Sequence, residues 1–402
     1  MEKYTAIIPT RDRAETLEAT IRTCLRQTYE NFEIIVSDNC SEDNTREIVY
    51  QFNDPRITYI NPGRRLSMSG NFEFSLGHVT EGFVMFIGSD DGIMPDAINY
   101  VDSIVQKYKV DAVSCQQATY VWPNFIDATL AGRLSFGGYR SDVEIRESSE
   151  WIQKTLSCPS MYCFNLPNLY CGFVHKRVID QAYKNGRYFR SITPDAYSAF
   201  ATAIFVDRYA FSHRSFSIAG ASAKSNGASA LHSSGDDTEA NKFYSENDIE
   251  FSERFVNCPS FEIICVETFS QLAKAFPDRC RPYHIDYKTM LQQALKNVNQ
   301  KTIAEVSAAV AIMTTNFSID IDDYPPLLKT NHVSFFRKFR RVWQIIVSPT
   351  QVVEITKTLS IGIKDIDDAA LVAHVLMLSN DSGVFVTMRG ALLKRLKQMV
   401  RL

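Results

Sequence analysis

The sequence predicts an α/β fold, in which a mostly parallel β-sheet has helices on both faces and is followed by a mainly α-helical carboxyl-terminal region. Between residues 4 and 116, short apolar segments alternate with segments whose apolar residues recur at helical spacing. The apolar segments are continuous, which is typical of strands buried on both faces of a parallel sheet. From residue 239 onward, apolar residues recur mostly at the spacing of helices.

The elements of the amino-terminal segment can be taken in order. Continuous apolar runs predict strands at residues 4–9, 32–36, 56–60, 83–87 and 112–115. Helical spacing predicts helices at residues 14–29, after Ser41, at 70–78 and at 95–108. Ser41 marks the predicted start of the second helix, because it stands three residues before Asn44 and acidic residues follow it. The first strand is followed by neither GxGxxG nor GxxxxGK[ST], so neither a dinucleotide site nor a P-loop is predicted.

Length and composition indicate a globular protein of more than one domain. The chain has 402 residues, of which 45% are hydrophobic and 22% are charged. Its net charge of −3 provides no general attraction to nucleic acid, so nucleic acid is not an expected partner. The nine scattered cysteines predict reduced thiols and a cytoplasmic location. We see neither a signal peptide at the start nor an apolar run of about 20 residues, so a soluble protein is expected.

Polar side chains follow three of the predicted strands directly. They are Thr10, Arg11 and Asp12 after the first strand, Asp38 and Asn39 after the second, and Asp90 and Asp91 after the fourth. Because ligands of open α/β sheets bind beyond the carboxyl ends of the strands, we expect these side chains to converge. Adjacent carboxylates suit a hard divalent cation whose coordination a substrate's phosphates complete. The alternatives are a solvated Asp-Gly turn for Asp90 and Asp91, and a turn cap for Asp38.

The remainder of the chain supplies fewer candidates. Asp195 precedes a strongly apolar helical pattern, where aspartate is a routine amino-terminal cap. Residues 220–237 are small and polar, which predicts a loop that is either a functional lid or disordered. The aromatic rings of Trp151, Tyr162 and Tyr170 suit either stacking on an acceptor sugar or filling the core. Residues 335–343 and 388–402 are basic and apolar, which suits a helix on an anionic membrane surface or one packed on a partner subunit.

Four segments resemble the family 2 glycosyltransferases of the GT-A fold, of the type that builds bacterial surface polysaccharides. They are AIIPTRDR at the first strand, EIIVSDNCSEDNT at the second, SGNFEFSLGHVTEGFVMFIGSDDGIMPDAI around the fourth, and TPDAYSAFA further on. The first three lie between residues 6 and 98, in the family's order. The sequence departs from the commonest pattern at Gly88, where many members carry the first aspartate of the metal-binding motif.

The resemblance implies a role for each candidate. It implies contact with the donor nucleotide for Pro9, Thr10, Arg11, Asp12, Asp38, Asn39, Asp90 and Lys224. It implies that Asp90, Asp91 and His232 hold Mn²⁺ or Mg²⁺, and it leaves open which aspartate binds the ion directly. It implies that Asp195 is the general base that takes the proton of the acceptor hydroxyl. Solvated side chains on a loop are the alternative for Lys224 and His232.

The expected function is therefore a metal-dependent inverting glycosyltransferase that moves a sugar from a nucleotide-sugar donor to a glycan or lipid-linked glycan hydroxyl in polysaccharide biosynthesis. A UDP-sugar is the expected donor. The alternatives are a sugar-nucleotide nucleotidyltransferase and a noncatalytic glycan-assembly subunit. We expect a catalytic domain at 1–238, made of a nucleotide-binding half (1–116), an acceptor half (117–219) and a lid loop (220–238), and then a helical region at 239–402. The carboxyl-terminal helices are expected to contact a second copy of the chain or the inner face of the cell membrane.

Overall fold

The computed structural model describes residues 1–137, 141–225, 245–298, 300–319 and 352–381. The strands in these ranges are β1 (Tyr4–Thr10), β2 (Phe32–Asp38), β3 (Ile57–Ile60), β4 (Phe83–Phe86), β5 (Gly92–Ile93), β6 (Ala112–Cys115), β7 (Ala118–Val121), β8 (Arg133–Gly137), β9 (Val143–Glu147), β10 (Phe173–His175), β11 (Arg208–Ser212), β12 (Ser217–Ala221) and β13 (Val352–Ile355). The helices are α1 (Ala14–Leu25), α2 (Thr45–Gln51), α3 (Met68–Leu76), α4 (Ala97–Tyr108), α5 (Ser148–Ser157), α6 (Pro159–Tyr162), α7 (Lys176–Gln181), α8 (Pro194–Phe205), α9 (Phe261–Ala275), α10 (Pro277–Cys280), α11 (Tyr287–Asn297), α12 (Ile303–Phe317) and α13 (Ile366–Asp381). Short 3₁₀ turns lie at Cys163–Asn165 and Thr358–Ile361.

An eight-stranded sheet forms the centre of the fold, in the order β3-β2-β1-β4-β10-β6-β11-β9. The pairs β1–β2, β1–β4, β2–β3 and β6–β11 are parallel. The reversed strands are β10, which lies between β4 and β6, and β9 at the edge. A second sheet has the order β13-β8-β7-β12-β5. The predicted α/β class with a mostly parallel sheet is confirmed.

Both faces of the central sheet are buried, and β1 shows why its sequence is continuously apolar. Ala6 and Ile8 point into one core, which includes residues of α1, α4 and α13. Ile7 points into a second core, which includes residues of α3, α5 and α8. Because successive side chains of a strand point to opposite faces, a strand covered on both sides needs apolar residues throughout. The prediction of helices on both faces is confirmed.

The described part of the carboxyl-terminal half is mainly helical. Helices α9, α11 and α12 surround a third core, which contains Met290, Val306 and Met313. Residues 352–381 instead return to the amino-terminal half, where β13 pairs with β8 and α13 packs against α1. Arg26 donates two hydrogen bonds, of 2.6 and 2.8 Å, to the carboxylate of Asp367 on α13. The domain boundary at residue 238 stays a prediction, and this returning segment lies in the part assigned by sequence to the helical region.

Three of the sequence predictions can be compared with the structure. Helix α2 begins at Thr45 rather than at Ser41, because the Ser41 hydroxyl accepts a hydrogen bond of 2.9 Å from the Asp12 N–H instead of capping a helix. All nine cysteines are free thiols, and seven of them are buried. Within the ranges given above, no helix combines the length and the low polarity that crossing a membrane requires. The basic segments at 335–343 and 388–402 lie outside the described residues.

Candidate functional site

The carboxyl ends of β1, β2 and β4 meet at one edge of the central sheet. Thr10, the last residue of β1, is in register with Asp38, the last residue of β2. The Asn39 N–H donates to the Thr10 carbonyl at 2.9 Å, and the Ile87 N–H donates to the Ile7 carbonyl at 3.0 Å. The polar residues that follow these three strands are therefore neighbours, as the strand-end pattern predicts.

The loop after β1 is tied to the loop after β2. Pro9 lies within β1 opposite Ser37, and Asp12 takes up a left-handed backbone conformation with φ of 53°. The Glu42 N–H donates to Asp12 Oδ1 at 2.7 Å, and Arg65 donates to Asp12 Oδ2 at 3.1 Å. Arg11 forms an ion pair with Glu246. These contacts place Arg11 and Asp12 at the sheet edge with their charges partly balanced by protein groups.

Asp38 and Asn39 are both buried and both hold neighbouring loops. Asp38 Oδ1 accepts from the Ser41 N–H at 2.9 Å, so the predicted alternative role as a turn cap is present. Asp38 Oδ2 accepts from the Tyr59 hydroxyl at 2.6 Å, and burial together with this hydrogen bond raises the pKa of Tyr59 to about 12. The Asn39 amide exchanges two hydrogen bonds, of 2.8 and 2.9 Å, with the backbone of Leu66.

Asp90 lies in the turn after β4 and is only 4% exposed. Its Oδ2 accepts hydrogen bonds from the Ser222 N–H at 3.3 Å, from the Ser222 hydroxyl at 2.7 Å and from the Ser225 hydroxyl. Its Oδ1 lies 4.0 Å from Arg13 Nη1. Trp122 Nε1 donates to the main-chain oxygen of Asp90 at 2.9 Å. One carboxylate oxygen is thus occupied by the segment after β12, and the other faces Arg13.

Asp91 is 1% exposed and is held by protein groups on both oxygens. Its Oδ1 accepts from the Gly220 N–H at 2.7 Å, and its Oδ2 accepts from the Gly88 N–H at 2.7 Å and from the Tyr170 hydroxyl. Burial and the neighbouring charge of Asp90 raise the pKa of Asp91 to about 6, and the three hydrogen bonds oppose that rise. Asp91 therefore joins three segments of the chain at the site.

Two buried hydroxyl groups lie at this edge of the sheet. Among the described residues, Thr10 Oγ1 and Ser89 Oγ are buried without a hydrogen-bond partner, which is uncommon for buried polar atoms. In the described part of the chain, no group of three or more His, Cys, Asp or Glu side chains forms a cation site by itself. Mg²⁺ is commonly held by one or two carboxylates together with substrate phosphates. If such a cation binds together with a substrate, Asp90 Oδ1 would be the oxygen that contacts it, beside Arg13 Nη1 at 4.0 Å.

Asp195 lies in the first turn of α8, after Pro194, and Thr193 is the cap residue of that helix. The alternative role of Asp195 as the cap itself therefore does not hold. Burial raises the pKa of Asp195, and backbone N–H groups at the start of the helix oppose that rise. Burial raises the pKa of the Cys171 thiol, and the negative charges of Asp91 and Asp195 raise it further. Both carboxylates are therefore close enough to act on the same thiol.

Lys224 follows β12 and lies across the same sheet edge. Its Nζ donates to the Asp12 carbonyl at 2.9 Å and lies 3.7 Å from Glu15 Oε1. His232, the remaining metal candidate, lies outside the described residues. A surface cavity of about 520 Å³, whose lining includes Arg187 and Lys274, contains none of the predicted site residues.

Several groups that hold the two adjacent carboxylates are not apparent from sequence patterns. Gly220 lies 129 positions from Asp91 along the chain, and Ser222 lies 132 positions from Asp90. No short motif relates positions so far apart, and the composition of residues 220–237 indicates only a loop. The aromatic pattern leaves open whether the ring of Tyr170 stacks on a sugar or fills the core, whereas in the structure its hydroxyl group contacts Asp91.

Comparisons with known sequences match the segment that builds this edge. Residues 5–148 match the family model described as Glycosyl transferase family 2. The chain is 34% identical over 102 residues to GalNAc(5)-diNAcBac-PP-undecaprenol beta-1,3-glucosyltransferase of Campylobacter jejuni, a stretch that covers 25% of this chain and 33% of that protein. It is 35% identical over 85 residues to UDP-Glc:alpha-D-GlcNAc-diphosphoundecaprenol beta-1,3-glucosyltransferase WfgD of Escherichia coli, a stretch that covers 21% of this chain and 34% of that protein. The chain thus spans about a third of the length of these relatives.

Solved structures are similar at low sequence identity. Residues 1–349 of S. aureus TarS, in complex with UDP-GlcNAc, align with a TM-score of 0.45 and 12% identity over 78% of this chain and 89% of that chain. The mannosyltransferase PcManGT of Pyrobaculum calidifontis, in complex with GDP-Man and Mn²⁺, aligns with a TM-score of 0.39 and 14% identity over 94% of this chain and 87% of that chain.

The family match and the site geometry concern the same part of the molecule. Strands β1, β2 and β4 and the turn with Asp90 and Asp91 all lie within the matched segment. Asp195 and Lys224 lie beyond it, so their placement comes from the structure alone. Residues 5–148 of the chain are therefore similar to glycosyl transferase family 2.

Proposed function

We propose that this protein is a metal-dependent inverting glycosyltransferase of polysaccharide biosynthesis. It transfers a sugar from a nucleotide-sugar donor, in the first instance a UDP-sugar, to a hydroxyl group of a glycan or lipid-linked glycan. The observation that carries the proposal is that the family match covers the sheet edge where Thr10, Asp38 and Asp90 lie together. The names of the two relatives, which are glucosyltransferases acting on undecaprenol-diphosphate-linked glycans, support these donor and acceptor classes.

In this proposal the donor nucleotide binds at the ends of β1 and β2. The buried Thr10 hydroxyl, which has no hydrogen-bond partner among the described residues, is available to a base or ribose. Asp38 already binds a backbone N–H and the Tyr59 hydroxyl, but a carboxylate has about four acceptor sites and so retains capacity for a ribose hydroxyl. Lys224, which reaches the Asp12 carbonyl, supplies positive charge for the diphosphate.

Asp90 is proposed to contact the divalent cation, Mn²⁺ or Mg²⁺. Ser222 and Ser225 hold its Oδ2, which leaves Oδ1 directed toward the side of Arg13. Asp91, with both oxygens bound by protein groups, is proposed to position the turn. When bound, the cation offsets the negative charge that develops on the departing diphosphate. The role proposed for His232 rests on the sequence resemblance alone.

Asp195 is proposed to remove the proton of the acceptor hydroxyl as that oxygen attacks the anomeric carbon. Attack from the side opposite the diphosphate inverts the configuration at that carbon. The raised pKa of Asp195, caused by burial, makes it a stronger base than an exposed aspartate. The cytoplasmic location, and contacts of the carboxyl-terminal helices with a membrane surface or a second copy, remain part of the proposal.

The test is the release of nucleoside diphosphate. The full chain is incubated with UDP-, GDP- and dTDP-sugars, Mn²⁺ and lipid-linked acceptor glycans, and we expect free UDP from at least one donor and its loss on addition of EDTA. Asp90→Asn should lower the rate by about hundred-fold or more. Asp180→Asn, which removes an exposed carboxylate that pairs with Lys176, is the control and should leave the rate unchanged.

Each part of the proposal has its own contrary result. Turnover that is insensitive to EDTA would contradict metal dependence. Absence of diphosphate release from every donor would contradict the transferase. Pyrophosphate formed from a nucleoside triphosphate and a sugar phosphate would identify a nucleotidyltransferase instead.

A further inference from the structure

Tyr170 lies on a segment that runs beside the end of β4. The Phe86 N–H donates to the Leu169 carbonyl at 2.6 Å, and the Cys171 N–H donates to the Phe86 carbonyl at 2.7 Å. Phe86 and Tyr170 therefore form a single parallel β-bridge at the end of β4. This backbone anchor directs the half-buried ring of Tyr170 to the turn that follows β4, where its hydroxyl donates to Asp91 Oδ2.

The turn itself is closed by Asp91. The Asp91 N–H donates to the Gly88 carbonyl at 3.1 Å, and the Gly88 N–H donates back to Asp91 Oδ2 at 2.7 Å. Asp90 lies inside this closed turn, so the Asp91 side chain fixes the direction in which Asp90 points. The oxygen that closes the turn is the same Oδ2 that Tyr170 holds.

The space at position 88 is filled by these groups. A Cβ atom built on Gly88 would lie 2.7 Å from the Tyr170 hydroxyl, 3.0 Å from Asp91 Oδ2 and 3.1 Å from Asp90 Oδ1. A side chain at this position would therefore displace the phenol from Asp91. The absence of a side chain at position 88 and the presence of the phenol are two parts of one arrangement.

The same segment also contacts the helix that carries Asp195. The Leu169 N–H donates to the Ser198 hydroxyl at 3.3 Å, and that hydroxyl donates to the Asp195 carbonyl at 2.9 Å. Residues 169–171 thus touch both the turn of the two adjacent carboxylates and the first turn of α8. A shift of this segment would move the two halves of the site relative to each other.

We propose that Tyr170 is a positioning residue whose hydroxyl clamps Asp91 and so holds Asp90 in the orientation that binds the cation. This inference rests on the proposed function, and Tyr170 acts through Asp91 without touching substrate. A phenol suits this role because it donates a hydrogen bond without adding a charge beside two adjacent carboxylates. Removal of an outer group that orients a metal ligand typically costs about ten- to hundred-fold in metal affinity, and Tyr170 would act on the proposed ligand Asp90 through Asp91.

The experiment compares Tyr170→Phe with Tyr4→Phe in the full chain. Tyr4 also donates to a carboxylate, Asp102, at 3.1 Å, but it stands at the amino end of β1, about 20 Å of strand from the site. Mn²⁺ binding is measured by calorimetry in the presence of UDP, and the Mn²⁺ concentration for half-maximal UDP release is measured in parallel. We expect Tyr170→Phe to weaken both by about ten- to hundred-fold, with kcat near wild type at saturating Mn²⁺. Tyr4→Phe should leave both values unchanged.

Gly88→Ala gives the same readout without altering Tyr170, and it decides the matter if Tyr170→Phe does not fold. Its methyl group should push the hydroxyl off Asp91 and weaken Mn²⁺ binding. Both changes break the same contact, between Tyr170 and Asp91. The Mn²⁺ affinity of the double variant should therefore be close to that of whichever single variant binds Mn²⁺ more weakly. If the losses of Mn²⁺ affinity in the two single variants multiply in the double variant, or if Tyr170→Phe binds Mn²⁺ as well as wild type, the proposed role of Tyr170 is wrong, while the proposed function still stands. A wild-type protein that neither binds Mn²⁺ nor releases UDP would overturn the proposed function, and the clamp with it.

Discussion

Gly220 packs directly against the turn that carries Asp90, and its replacement by alanine should harm both stability and activity. A Cβ atom at this position would lie 1.8 Å from the main-chain oxygen of Asp90 and 2.9 Å from Trp122 Nε1. Since ordinary contact begins at 3.4 Å, β12 would have to move away from the turn by about 1.6 Å. The nearest atom belongs to the backbone, so no side-chain rotation relieves the overlap.

The expected magnitude follows from the contacts that this movement breaks. They are the hydrogen bond of 2.7 Å from the Gly220 N–H to Asp91 Oδ1 and that of 2.9 Å from Trp122 Nε1 to the Asp90 carbonyl. A hydrogen bond to a charged group contributes about 1.5–3 kcal/mol, and a neutral one about 1 kcal/mol. We therefore expect the free energy of unfolding to fall by about 3 kcal/mol. A displacement of about 1 Å can cost about hundred-fold in rate, so UDP release should fall at least that much.

Urea unfolding followed by circular dichroism measures the stability, and UDP release measures the activity. Gly186→Ala is the matched control, because Gly186 has a φ of 72° and a Cβ atom there would meet none of the described residues within 4 Å. That variant should lose about 1–2 kcal/mol from its left-handed backbone and keep its activity. If Gly220→Ala loses no more stability than Gly186→Ala and turns over at the wild-type rate, the close packing of β12 on the turn is refuted.

Three further predictions concern Asp195 and the packing of α13. Asp195→Asn should lower transfer by about 10²–10⁴-fold and leave donor binding by calorimetry unchanged, and a wild-type rate would contradict its role as base. Because burial raises the pKa of Asp195, the folded state takes up a proton between the ordinary and the raised pKa. The contribution of this group to stability is therefore lost as pH rises through the raised pKa, while the rate of transfer rises over the same range. Above that pH, Asp195→Asn should be more stable than wild type in urea, and equal or lower stability would contradict the burial effect. Asp367→Asn removes the negative charge and one of the two oxygens that accept from the exposed Arg26, and should cost about 1–2 kcal/mol in urea unfolding. Asp278→Asn, which removes an exposed ion pair with Arg281, should cost under about 0.5 kcal/mol, and an equal effect of both variants would show that α13 is not held by this contact.

The sheet and the convergence of its polar strand ends could be predicted because both depend on local pattern. The continuous apolar runs of β1, β2 and β4 identify strands buried on both faces, and parallel strands bring their carboxyl ends to one edge. Asp38 and Asp90 could therefore be expected near one another without any knowledge of long-range contacts. The roles of the individual side chains stay proposals.

Features that depend on contacts between distant positions of the chain could not be predicted from the sequence. Ser41 and the acidic residues after it are typical of a helix start. In the structure the Ser41 hydroxyl instead accepts from the Asp12 N–H of another loop, and α2 begins at Thr45. Tyr170 is 79 positions from Asp91, and no spacing rule predicts that its hydroxyl rather than its ring contacts the site. The return of residues 352–381 to α1 and β8 likewise could not be predicted from periodicity, which relates only nearby positions of the chain.

The contact between Arg26 and Asp367 spans 341 positions of the chain, and this separation matters while the protein is being synthesised. At about 5–20 residues per second, a ribosome needs roughly 20–70 s to make the polypeptide between them. During that interval the apolar side of α1 and the free edge of β8 have no cover from α13 and β13. Uncovered strand edges and apolar surface promote aggregation, so the nascent chain should depend on chaperones until the returning segment emerges.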